Sequence, residues 1–160
     1  PAVYGPGDAE MLDLFKAARG GLVPLPPGGR LSIIHADDLA RLLLALAQPD
    51  APHRLLVEPD DGKPGGWTHR EFARALAVAV GTRAAVVSSP GILLRMAARA
   101  DQLLRGEKAK LTADRAAYFS HRNWVVEPKR AAPPQLWRPQ IRTEQGLAET
   151  ARWYRAQGWL

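Results

Sequence analysis

The chain opens on Pro1-Ala2-Val3-Tyr4-Gly5-Pro6-Gly7, a short β-prone run that ends abruptly in a turn. Val3 and Tyr4 favour a pleated, half-buried backbone. Gly5 and Gly7 permit positive φ, and Pro6 has no amide to extend a ladder, so a strand ends there. A strand with no lead-in and no initiator methionine points to a polypeptide that continues upstream.

Outward from this run, helix and strand signals alternate. Asp8 is placed to cap a helix in which Met11, Leu12, Leu14, Phe15 and Ala18 recur at helical spacing until Gly20-Gly21. Leu22 to Leu25 reads as a short extended piece, and Leu31 to Ile34 as a strand. Asp37 is placed to cap the next helix, where Leu39, Leu42, Leu43, Leu46 and Ala47 recur and Pro49 stops the pattern. That helix is apolar on most sides and is expected to be sandwiched. Arg54 to Glu58 reads as a short apolar strand, followed by a turn-rich loop to Gly66.

The clearest local signal is Thr68 with Glu71, a capping box in which each side chain satisfies the other residue's amide. Trp67 and Phe72 flank it as a hydrophobic staple, and Gly81 ends the helix after Val80. Arg83 to Ser88 and Asn123 to Val126 read as strands, the Arg95 to Lys110 and Thr112 to Tyr118 segments as helices, and a last helix begins near Thr143.

Composition narrows the function classes. With 160 residues, 46% of them hydrophobic, the chain can bury one core of ordinary domain size. It has no cysteine, which removes disulfides, thiolate nucleophiles and thiolate zinc sites, and suits a reducing cytoplasm. The longest apolar run, Leu42 to Ala47, is far shorter than the ~20 residues of a membrane helix, so no membrane partner is expected. A net charge of +6 and a pI near 10.2 raise nucleic acid as a partner. The cations are mostly scattered arginines. The one dense stretch, Arg95, Arg99, Arg105, Lys108 and Lys110, alternates with Leu93, Leu94, Leu103 and Leu104 as a solvated helix face would.

Three segments together resemble the extended short-chain dehydrogenase/reductase superfamily, the NAD-dependent epimerase/dehydratase family. Pro1 to Gly7 is similar to that family's Val-Tyr-Gly-Pro-Gly strand and turn. Ile33-Ile34-His35-Ala36-Asp37-Asp38-Leu39-Ala40 is similar to its Ile-His-Val-Asp-Asp-Leu-Ala strand and helix. Trp137-Arg138-Pro139 through Gly146-Leu147, Thr150, Trp153-Tyr154 and Gly158-Trp159-Leu160 is similar to its closing segment.

The resemblance implies an α/β fold: the C-terminal part of a doubly wound Rossmann-type fold, with its last two parallel strands near Val3 and Leu55 to Val57. A small, mixed and mostly helical substrate-binding subdomain accompanies them. Residues 1–160 would then be the substrate-binding portion, with the dinucleotide-binding portion upstream. Consistent with this, the chain has no Gly-rich phosphate turn, and its three tyrosines are followed at the fourth position by Asp8, Arg122 and Gly158 rather than by lysine. No catalytic residue and no metal ligand set is assigned to these residues.

By the same resemblance, the backbone at Pro1, Ala2 and Val3 would contact the nicotinamide of NAD or NADP. Tyr4 is either a substrate contact or core. Arg30 would grip a substrate diphosphate with its guanidinium fork, or lie exposed, because it stands one position earlier than the family's arginine and so turns to the other strand face. His35, with Asp37 and Asp38, forms the compact acid/base cluster, read either as helix capping or as substrate binding. His53, His69 and His121 are given no chemistry.

The expected function is the substrate-binding half of an NAD(P)-dependent oxidoreductase, epimerase or dehydratase. Its partners would be its own N-terminal Rossmann half, a small-molecule substrate and, through the open strand edge, a second copy. The alternatives are a basic nucleic-acid module and a scaffolding relative without catalysis.

Overall fold

The computed structural model describes residues 1–25, 28–52, 54–83, 85–88 and 121–160. Its first element is the strand β1 (Ala2–Tyr4), which leaves through a turn where Gly7 takes a φ of 87°. Then follow α1 (Leu12–Arg19), β2 (Leu22–Leu25), β3 (Arg30–Leu31), β4 (Ile33–His35) and α2 (Ala36–Leu46). The second half carries β5 (Trp67–Thr68), α3 (His69–Val80), β6 (Ala85–Ser88), β7 (Asn123–Trp124), a 3-10 turn (Pro128–Arg130) and α4 (Thr143–Ala156). The expected helices over 95–110 and 112–118, and His53, lie outside the described residues.

Three helices close the main core. Phe15 and Ala18 of α1, Phe72 and Leu76 of α3, and Leu147, Ala151 and Tyr154 of α4 are buried together with Val23 and Ile33. Burying each large side chain of this set contributes about 1.5–3 kcal/mol. The Tyr154 ring meets Phe15 edge-on at 5.1 Å, and its hydroxyl donates to the Asp8 carbonyl at 2.6 Å, so the polar tip of a core aromatic is satisfied. Burial pushes the Tyr154 hydroxyl above the ordinary tyrosine range.

Helix α3 follows its sequence signals closely. The Thr68 hydroxyl accepts the Glu71 amide at 3.1 Å, the Glu71 carboxylate accepts the Thr68 amide at 2.8 Å, and Gly81 ends the helix at a φ of 77°. Trp67 and Phe72 are both buried in the core as the staple requires.

The strands form a parallel pair β1–β4 with Tyr4 opposite His35, a parallel pair β2–β6, and a small mixed sheet β5–β3–β7. This is an α/β architecture. Five expectations change in detail. Leu31 to Ile34 is two strands, because the chain changes partners at Ser32. The Ser32 amide donates to the Trp124 carbonyl at 2.9 Å, while its own carbonyl accepts the Ala2 amide at 2.9 Å.

The parallel partner of β1 is therefore β4. Leu55 to Val57 forms no strand: Arg54 takes a φ of 58°, and Leu56 is 71% exposed. The strand at Asn123 stops at Trp124, because the next two amides turn to side chains, Val125 to Asn123 Oδ1 and Val126 to Ser32 Oγ, both at 3.3 Å. Asp8 accepts the amides of Glu10 and Met11, one turn ahead of α1, rather than capping the helix itself. Helix α2 is not sandwiched: Leu43 and Leu44 are more than half exposed.

Candidate functional site

Ligands of open parallel sheets bind outside the carboxyl ends of the strands. Here the carboxyl ends of β1 and β4 lie side by side at Tyr4 and His35, where the Gly5-Pro6-Gly7 turn and the N-terminus of α2 begin. The candidate site is this corner.

Two buried side chains form its floor. Tyr4 donates its hydroxyl to the Thr143 carbonyl at 3.3 Å and meets the His35 ring edge-on at 5.2 Å. Desolvation by burial, with further contributions from Asp61 and Asp38, holds the Tyr4 hydroxyl well above the ordinary tyrosine range. His35 Nδ1 accepts the Asp37 amide at 3.2 Å, which makes His35 the cap of α2. The expected cap, Asp37, instead stands exposed in the first turn. With Nδ1 accepting, the neutral ring carries its proton on Nε2, which is buried without a hydrogen-bond partner. Gly146 of α4 presses on both rings: a Cβ there would stand 2.6 Å from Tyr4 Oη and 2.9 Å from His35 Cδ2.

Asp38 has a different job from capping. Its buried carboxylate accepts the amides of Gln140 at 2.9 Å and Ile141 at 3.0 Å and pairs with Arg41, while its carbonyl accepts the Trp137 indole N–H at 3.0 Å. It clasps the stretch leading into α4 against α2. Asp61 makes a second clasp that sequence reasoning missed: its Oδ2 accepts the Trp67 indole N–H at 2.6 Å and the Thr143 hydroxyl at 2.5 Å. The signal available for it was only its place in a turn-rich loop.

Arg30 stands apart from the corner. Its guanidinium donates to the Gly65 carbonyl at 2.7 Å and the Gly66 carbonyl at 3.4 Å, so its fork holds the loop ahead of β5. The structure thus brings Tyr4 and His35 together with β1, and leaves Arg30 elsewhere. A cleft of about 440 Å³ between the 58–62 loop and the 131–139 stretch is lined by Glu58, Asp60 and Asp61. These carboxylates already serve Arg130 and the Glu127 amide, Ser32 and the Gly62 amide, and Trp67 and Thr143. Accordingly the Glu58 carboxyl lies below the usual carboxylate range, first through the Glu127 amide and then through Arg130. Among the described residues, no cluster of three or more metal-ligating side chains occurs, and no helix is long and apolar enough to cross a membrane.

The residues present fit one edge of a nicotinamide site. Successive residues of a parallel strand turn their peptide groups to opposite edges. Ala2 bonds to Ser32, so the amide and carbonyl of Val3 face the edge that no described strand covers. A planar carboxamide matches such a donor and acceptor.

This fold is shared with the C-terminal portions of Rossmann-type epimerases and dehydratases. An epimerase from Methanothermobacter thermautotrophicus superimposes with a TM-score of 0.64 at 16% identity, over 98% of this chain and 42% of that one. The dTDP-glucose 4,6-dehydratase of Bacillus anthracis, solved with NAD, gives 0.59 at 16% identity over 98% and 43%. The UDP-glucose 4-epimerase of Thermotoga maritima, solved with UDP-glucose, gives 0.60 at 18% identity over 98% and 44%. In sequence, the chain is 33% identical to a ceramide reductase of Caulobacter vibrioides (strain NA1000 / CB15N) over 165 aligned positions, covering 100% of this chain and 51% of that protein. No family model matches. These likenesses agree with the resemblance of the sequence to the C-terminal half of the extended short-chain dehydrogenase/reductase superfamily. The chain spans about half the length of the curated relative it matches.

Proposed function

We propose that this chain is the substrate-side half of an NAD(P)-dependent oxidoreductase that reduces a carbonyl on a lipid-like substrate. The observation that carries the reading is the 33% identity, running across the whole chain, to a ceramide reductase. Arg30 supports the substrate class. The arginine that would grip a nucleotide-sugar diphosphate is occupied by two loop carbonyls, which leaves the corner without that charged fork.

When bound, the reduced nicotinamide supplies a hydride to the carbonyl carbon, and the carbonyl oxygen takes a proton. The residues of this chain bind and orient. Val3 offers its peptide group to the carboxamide, Tyr4 and His35 form a rigid floor, and the Gly5-Pro6-Gly7 turn lets the backbone approach substrate closely. The proton donor would belong to the preceding half, because Tyr4, the described tyrosine at this corner, is buried with its hydroxyl committed to the Thr143 carbonyl. The dinucleotide phosphates would be held there too. A cytoplasmic setting accords with a cysteine-free chain.

The test is turnover of the full-length gene product with NADH and NADPH, using a long-chain keto lipid in micelles against nucleotide sugars. Oxidation of either dinucleotide by the keto lipid is expected, with Arg30→Gln altering kcat/KM by no more than about twofold. Turnover of nucleotide sugars alone, abolished by Arg30→Gln, would overturn the lipid reading.

A further inference from the structure

Helices α2 and α3 begin on caps of different chemistry. At α3 the acceptor is the Thr68 hydroxyl, which keeps its lone pairs across the physiological pH range. At α2 it is an imidazole: His35 Nδ1 accepts the Asp37 amide at 3.2 Å. Histidine is the side chain whose ordinary charge change falls between about pH 5 and pH 8. An acceptor nitrogen that takes up a proton becomes a donor, so this cap exists only while the ring is neutral.

The ring cannot turn away from that conflict. His35 is 3% exposed. The Tyr4 ring meets it edge-on at 5.2 Å, and the place of a Cβ on Gly146 lies 2.9 Å from its Cδ2. On the opposite side, Nε2 and Cε1 stand 3.5 and 3.6 Å from the place of a Cβ on Gly5. A half-turn of the ring would only exchange Nδ1 for Cδ2 and leave the Asp37 amide facing carbon. Protonation therefore releases the amide whichever way the ring lies. A partner for the new N–H is close by: Asp37 Oδ2 is 3.8 Å from Nδ1, on an exposed side chain. The other charged or titratable groups around the ring are the Asp38–Arg41 pair on α2 and Tyr4 on β1. Asp61 of the 58–62 loop and Glu144 in the first turn of α4 act on the Tyr4 hydroxyl beside it.

We infer that His35 is a pH-sensitive latch on the N-terminus of α2: protonation of Nδ1 exchanges the ring–amide bond for an imidazolium–carboxylate pair with Asp37 and frees the first turn of the helix. The proton comes from solvent, and only hydrogen bonds change. The latch bears on the corner itself. Ala36 is the first residue of α2, and its Cβ lies 3.2 Å from the place of a Cβ on Gly5, where the chain leaves β1. A loosened first turn therefore loosens the wall behind the Gly5-Pro6-Gly7 turn, two residues from the Val3 peptide group.

The test follows the isotope-labelled full-length gene product by NMR from about pH 8 to about pH 5. The ring nitrogens of His35 report its protonation, and the Asp37 amide reports the cap. Exchange of that amide with water, divided by its rate in an unstructured peptide at the same pH, is expected to rise at least about fivefold as the ring titrates. The Glu71 amide of α3, held by a hydroxyl, is expected to keep its ratio. His35→Asn supplies an acceptor that does not titrate, so in that variant the Asp37 amide should keep one level of protection throughout. An Asp37 amide that stays protected while the ring titrates would overturn the inference, and so would a ring that remains neutral over the whole range. A response of the Asp37 amide that survives His35→Asn would overturn it as well. Should the variant not fold, the wild-type titration decides alone, since ring and amide must move together.

Discussion

The helical core and the β1–β4–α2 corner of this chain are built on different physics. The core, between α1, α3 and α4, is closed by apolar side chains of the chain itself, and its few polar atoms, such as the Tyr154 hydroxyl, find partners inside it. The corner is held by carboxylates. Asp38 and Asp61 bind amides, an indole and a hydroxyl from distant segments, and beyond them one apolar flank lies open. Where a chain supplies enough apolar surface, close packing completes a layer. Where it supplies only one side of a layer, directional polar bonds fix the geometry and leave the remainder for another surface to bury.

The contrast can be broken first in the core. Phe72→Ala removes a side chain that is 1% exposed, and it should cost about 3–5 kcal/mol in denaturant unfolding. A loss under about 1 kcal/mol would mean that the core relaxes around the cavity and is not the rigid half of the comparison. Asp38→Asn comes next. It keeps one acceptor but loses the charge that pairs with Arg41, and should cost about 2–3 kcal/mol. Hydrogen exchange sharpens this case: the Gln140 and Ile141 amides should lose protection while Leu76 in α3 keeps its own. Equal loss at all three would show one cooperative unit instead of two regions.

The smallest effect lies at the α3 cap. The Thr68 amide, then the Thr68 hydroxyl, hold the Glu71 carboxyl below its ordinary range. A carboxylate with a lowered folded pKa contributes stability fully above its unfolded value, near 4.3, and loses it as pH falls through the folded value. Glu71→Gln resembles the protonated acid, so it should lose that small contribution near neutrality and match wild type at low pH, and the acid-side slope should flatten. An unchanged slope between wild type and variant, measured by thermal unfolding across that window, would remove Glu71 from the acid response.

Legibility in the sequence followed the range of the interactions. The Thr68–Glu71 box, the Gly81 stop and the Gly5–Gly7 turn depend on residues within a few positions of each other, and the structure has them where the sequence places them. The Asp37 cap was misplaced by competition inside one motif. The helix starts earlier: His35, two residues ahead, accepts the Asp37 amide on its imidazole nitrogen, and Asp37 stands exposed in the first turn with its carboxylate 3.8 Å from that nitrogen. Arg30 was readable as a guanidinium fork but not as to its partner, since the carbonyls that occupy it lie 35 and 36 residues away.

By itself, the sequence determined most element types, the α/β class and the family resemblance, because these are carried by hydrophobic period, turn chemistry and short motifs. Only the tertiary structure decided that β4 rather than the 55–57 segment pairs with β1, that Asp38 ties down an amide 102 residues away, and that α2 keeps a bare apolar face. The physical reason is that a strand edge, a carboxylate or a leucine face specifies what kind of partner it needs. Which partner arrives is settled by the packing of the whole chain.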